Sequence, residues 1–296
     1  MDFASTLIRL GLYLDLGILF GLAFFAMYAL SPDEMATPFG RRLRSCVTTF
    51  ATLGIALSLL NVVVMAKNMS GADSYAEIEM HMLSMIVSGT DFGLAWIWRM
   101  TALLACLGFV WTTKSGRSTF LCIGAGVAMA TLAWAGHAVM DTGMLRYEHL
   151  GVDIAHLLAA ATWAGALTAF LMLSRNVSSA ALFSRTTNGF AQIGSILVGV
   201  LVVTGAINYW LIVGPKLADS LYGLLLLVKL ALFGLMLGLA AINRFRLAPK
   251  LEAAVSRGDR EEAMLALRRS IVIEASAATL IFAFVAYLGL QSPSSV

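Results

Sequence analysis

Charge is scarce in this chain. Asp, Glu, Lys and Arg make up 12% of its 296 residues, while 59% are hydrophobic. A soluble domain carries about 25% charged residues, so too little polar surface exists to wrap a water-soluble globule of this length. Alternation with period two is also missing, which excludes a membrane β-barrel. The apolar runs are long and nearly continuous, and each is near the roughly 20 residues a spanning helix requires. Cysteine is sparse: Cys46, Cys106 and Cys122 have no C-x-x-C spacing and lie in or beside apolar runs, so no disulfide framework is expected. The first run lacks a basic leader and a small-residue cleavage site, and reads as a retained span. There is no G-x-S-x-G, H-E-x-x-H or P-loop, hence no sign of an enzyme.

What is there reads as an all-α polytopic membrane protein. Eight transmembrane helices are expected, at roughly 7–30, 46–66, 91–111, 119–140, 151–173, 188–213, 221–242 and 271–291. They form a single transmembrane domain, 1–296. The loops after spans one, three, five and seven hold Arg41, Arg42 and Arg44; Lys114 and Arg117; Arg175 and Arg185; and seven basic residues between Arg244 and Arg269. Together these are fourteen of the 20 basic residues. The alternate loops hold Lys67, Arg146 and Lys216. Basic loops stay in the cytoplasm, so both termini are expected to be periplasmic and the bilayer an inner membrane. Solvated positive-inside charge accounts for the basic 243–270 loop without nucleic acid; a short amphipathic helix is expected there, around 259–269.

A faint repeat runs through the chain. Thr90-Asp-Phe-Gly-Leu and Ser220-Leu-Tyr-Gly-Leu each precede a basic residue six positions after the glycine, Arg99 and Lys229. Two parallel four-helix halves, 1–145 and 146–296, would account for it.

Histidine is rarer still, with four in all, and every one falls on the outer side of this topology. His149, Asp153 and His156 stand at i, i+4 and i+7, one face of a helix. His137, Met140, Asp141 and Met144 share a face if the fourth span persists that far. The second loop adds His81, Met82 and Met85. Imidazole with thioether suits copper, and thioether favours Cu(I). One alternative is a haem b electron-transfer protein with His137 and His156 as axial ligands. A two-haem arrangement is excluded because no histidine lies near the cytoplasmic side.

Ionisable residues inside apolar runs are costly and mark pairs or pathways. Asp15 is expected to partner Arg99 or Lys229. Glu274 is expected to pair with Arg268 and Arg269, and Asn208 with Gln192 to serve as interhelical glue.

Several stretches resemble the copper resistance protein D family (CopD/PcoD). They are Asp153-Ile-Ala-His156 through Trp163-Ala-Gly165, Phe183-Ser-Arg185, Val203-Thr-Gly205-Ala-Ile-Asn208, Tyr222-Gly-x5-Lys229, Ala-Ile-Asn243-Arg244, and Arg268-Arg-Ser-x3-Glu274. They run in order from about 150 to 292, and the first half matches more loosely, through the segment around Trp96 and Arg99 and through Ala135-Gly136-His137. The resemblance implies an inner-membrane protein that handles copper, moving it inward or to an acceptor. It also implies a separate periplasmic copper carrier of the CopC/PcoC type as partner.

Overall fold

The computed structural model describes residues 3–71, 74–112, 117–136, 139, 141–214 and 221–289, with backbone alone at 221 and 222. Among these the secondary structure is helical throughout. Eight helices are long and apolar enough to cross a bilayer, as the apolar runs require once backbone groups must be satisfied internally.

The first span, α1 (Phe3–Ala29), leads through a short helix α2 (Pro32–Ala36) into α3 (Pro38–Ser70). Ser31 and Glu34 cap α2 reciprocally, and proline opens both α2 and α3, where its missing N–H costs nothing. Gly71, at φ 68°, closes α3. Then α4 (Met80–Gly89), too short to span, lies over α3 and α5 (Asp91–Val110), burying Ile86 against Val62 and Phe92. The fourth span, α6 (Arg117–Ala130), tightens into a 3-10 turn over Thr131–Ala135. Two long helices follow, α7 (Gly143–Leu173) and α8 (Ala180–Val213). After them α9 (Leu221–Ile242) runs into a π turn at Asn243–Leu247, α10 (Ala248–Arg257) and the last span, α11 (Glu261–Leu288).

The central element is α1, which packs on α3, α6, α7 and α11. It is the most buried span, whereas α8 and α9 are the most exposed. Gly17-x3-Gly21 on α1 meets Ala161-x3-Gly165 on α7, and a Cβ on Gly21 would collide with the backbone of Ala161 and Gly165. Small residues spaced by four allow such backbone approach, which drives helix association where lipid removes the hydrophobic incentive. The first and last described helices also meet at one end, since Arg9 Nη1 donates to the carbonyl of Gly289 at 3.1 Å.

Two expectations fail locally. The fourth span ends at Ala135 rather than continuing to 140. Thr131 sends its hydroxyl back to the Ala128 carbonyl at 2.6 Å, and Gly143, at φ 64°, starts the next helix. Asp141 and Thr142 are not helical, so Asp141 and Met144 do not share one helical face with the fourth span. The short amphipathic helix of the basic loop lies at 248–257, not 259–269. Pro249 opens it, Gly258 closes it at φ 88°, and residues from 261 onward belong to α11.

Candidate metal centre

The first half of α7 carries three of the sequence-selected residues on one stripe, and the helix runs unbroken through all of them. His149 is buried, 1% exposed. Its Nδ1 faces the Asp141 carboxylate at 2.6 Å. A carboxylate can only accept, so Nδ1 carries a proton, and in the neutral ring Nε2 keeps the lone pair. That Nε2 is buried and has no hydrogen-bond partner among the described residues.

One turn on, Asp153 accepts from Asn208 Nδ2 on α8 at 2.6 Å. His156 follows, its Nδ1 2.8 Å from Thr204 Oγ1. The Thr204 hydroxyl donates to the Val200 carbonyl at 2.6 Å, so the imidazole supplies the proton of the His156 contact. Again Nε2 retains its lone pair. Thr204 and Asn208 stand four apart on α8, which brings both into register with His156 and Asp153. Lys229 on α9 lies close enough to act electrostatically on Asp153 and His156. Gly136 packs over the same stripe, where a Cβ would stand 3.3 Å from Asp153 Oδ2.

The stripe is a succession of positions and not one coordination sphere. Seven residues of helix separate His149 from His156 by about 10.5 Å along the axis. Among the described residues, no three His, Cys, Asp or Glu side chains are grouped as a ready ligand set. His137 and Met140 lie outside the described residues. Met144 is 74% exposed, unlike the buried His149. On α4, His81 and Met85 are exposed and four apart on one face, while Met82 packs inward beside Ile86.

The expected contacts of the intramembrane charges are not seen among the described residues. Asp15 is buried on α1, and neither carboxylate oxygen has a hydrogen-bond partner among the described residues. It lies against Gly54 on α3, 2.7 Å from where a Cβ would stand. Arg99 does not pair with it: the guanidinium Nε donates to Thr131 Oγ1 at 2.8 Å. Nor does Lys229, which is set beside Asp153 in the other half of the bundle. Glu274 points away from Arg268 and Arg269 into the bundle, where it accepts from Trp163 Nε1 at 2.7 Å and from Asn243 Nδ2 at 2.9 Å. The π turn places Asn243 there, consistent with the frequent use of such turns at built polar contacts.

The site residues missed from sequence are Asp141, as the partner of His149, and Thr204, as the partner of His156. A carboxylate or hydroxyl within hydrogen-bond reach of each imidazole is the signal to seek, but a glycine break and a helix gap separate them in the chain.

Comparison with known proteins bears on the whole chain. Residues 1–147 match the family model "Copper resistance protein D-like, N-terminal domain", and 184–288 match "Copper resistance protein D". The copper resistance protein D of Pseudomonas syringae pv. tomato is 41% identical, covering 99% of this chain and 97% of that protein. The chain belongs to the copper resistance protein D family. It is a multi-pass, copper-handling membrane protein of that family. A second relative, the inner membrane protein YebZ of Escherichia coli (strain K12), is 27% identical over 55% of this chain and 57% of its own length. No solved structure matches. Family likeness thus extends beyond the 150–292 stretch where the sequence motifs are densest. His149, Asp153 and His156 fall between the two matched stretches; Asp141 lies in the first, and Thr204, Asn208 and Lys229 in the second.

Proposed function

We propose that this protein takes up a copper ion at the outer end of the bundle and passes it inward along the α7–α8 stripe. The observation that carries the proposal is the pair of Nδ1 contacts, His149 to Asp141 and His156 to Thr204. Both rings place Nδ1 on a protein oxygen, which in the neutral imidazole leaves Nε2 as a lone-pair donor,. Metal-ligating histidines are ordinarily oriented in this way. Asp141 and Asp153 supply negative charge that offsets the cation, and the unpartnered Nε2 of His149 gives it a first ligand. His81 and Met85 on the exposed face of α4 suit initial capture, directly or from a periplasmic carrier of the CopC/PcoC type. Thioether and neutral imidazole favour Cu(I). The distribution of basic residues supports a periplasmic position in an inner membrane for the termini and the stripe. His137, next to Gly136, is proposed as a further ligand.

Metal analysis of purified protein tests this. His149→Ala and His156→Ala are expected to lower bound copper relative to wild type. Asp141→Asn is expected to weaken affinity about 10- to 100-fold, the usual effect of removing the group that orients a ligating histidine. Equal copper content and affinity in all four proteins would overturn the site. A Soret band at stoichiometric intensity would replace copper with haem, His137 and His156 being its axial ligands.

A further inference from the structure

The outer end of the N-terminal half holds a cavity that the copper stripe does not use. Its volume is about 420 Å³, within the range of small-ligand sites. It lies between α1, α3, α5 and the 3-10 turn, and two arginines, Arg9 and Arg99, line it. Arg99 is fully buried, at 0% exposure. Its Nε and Nη2 reach only the Thr131 hydroxyl and carbonyl, and Nη1 has no partner among the described residues. Arg9 spends its two terminal nitrogens on the Gly289 carbonyl and the Tyr13 hydroxyl, leaving Nε without a partner. A guanidinium stays charged in any protein environment, and a buried charge needs an opposite one to offset its desolvation. Asp15 does not serve, since Arg99 is not among its hydrogen-bond partners.

We infer that this cavity binds an oxyanion group, a carboxylate or phosphate, held by Arg99 with Arg9 beside it. The planar fork of a guanidinium matches such groups in geometry and charge. Asn61 and Asn68 add polar edges to the cavity, and Phe92 and Trp134 give it an apolar wall. The ligand is therefore a small organic acid, free phosphate or a lipid headgroup, each presenting the same oxyanion.

The test uses copper-free full-length protein in phosphatidylcholine nanodiscs, titrated calorimetrically with inorganic phosphate and with citrate. A parallel preparation contains phosphatidylglycerol, and its bound lipid is counted. One saturable site per chain is expected for at least one probe. Arg99→Gln should weaken it about tenfold or more, the effect of losing a charge-assisted hydrogen bond. Asn61→Leu, which narrows the cavity without removing a charge, serves if Arg99→Gln does not fold. Binding of phosphate or citrate in phosphatidylcholine identifies a free oxyanion, and enrichment of phosphatidylglycerol alone identifies a headgroup. Copper content of the folded variant should equal that of wild type, which separates this site from the stripe. No saturable binding of any probe, or affinity unchanged in the folded variants, overturns the inference.

Discussion

Glu34, in the connection after α1, serves two partners at once. One oxygen accepts from the Ser31 backbone N–H at 2.8 Å, completing the cap of α2. Both oxygens lie 2.8 Å from Arg185 Nη2 on α8. Partial burial alone would push its carboxyl up, but the Ser31 amide and the Arg185 charge outweigh that and hold it below its usual range. A carboxyl lowered on folding stabilises the folded state above its ordinary pKa and loses that contribution as pH falls through the folded value. Glu34→Gln is therefore expected to lower the melting temperature at pH 7. The difference from wild type should shrink steadily below about pH 4.5, the group's ordinary value. A constant difference across that range would mean the cap, and not the charge, carries the effect. The partners of single residues were the least legible part of the sequence. Spacing placed His149, Asp153 and His156 on one stripe, because helical period is local. It could not place Asp141 against His149 across the Gly143 turn. It also assigned Glu274 to the nearest arginines in sequence, when two neutral donors from other helices hold it.

At the scale of the helix, the closest approach of α1 and α7 depends on Gly21 and Gly165. No side chain separates Gly21 from Gly165, and neither backbone can retreat without moving α1, which also carries α3, α6 and α11. Gly165→Leu is expected to destabilise by at least the ~3 kcal/mol upper range of overpacking, read as early loss of the folded peak on heating in detergent. Gly108→Leu, where a Cβ meets nothing within 4 Å, should leave that peak unchanged. The existence and order of all eight spans were readable, since apolar length sets them. Their ends were not. Thr131 and Gly143 cut the fourth span short of 140, and Pro249 with Gly258 set the amphipathic helix at 248–257 and not at 259–269. Such breaks are decided by one hydroxyl or one φ angle, which hydropathy averages away.

For the whole molecule, the charge distribution is the clearest signal in the chain. Fourteen basic residues in alternate loops predict that the termini stand in the periplasm,. Alkaline phosphatase fused at either end should be active and a fluorescent protein fused there dark; the reverse pattern would invert the proposed direction of copper entry. The eight-helix, multi-pass architecture needs no such orientation, because apolar length and internal backbone bonding require it on either sidedness.

The Arg9–Gly289 hydrogen bond has a consequence for tethering. It brings the two ends of the described chain to one mouth of the bundle, beside the cavity and the stripe that starts at His149. A copper-carrying domain attached by a short flexible linker, at either terminus, would hover over that mouth at an effective concentration on the order of millimolar. Transfer from such a domain would become an intramolecular step whose rate no longer depends on how much carrier is present.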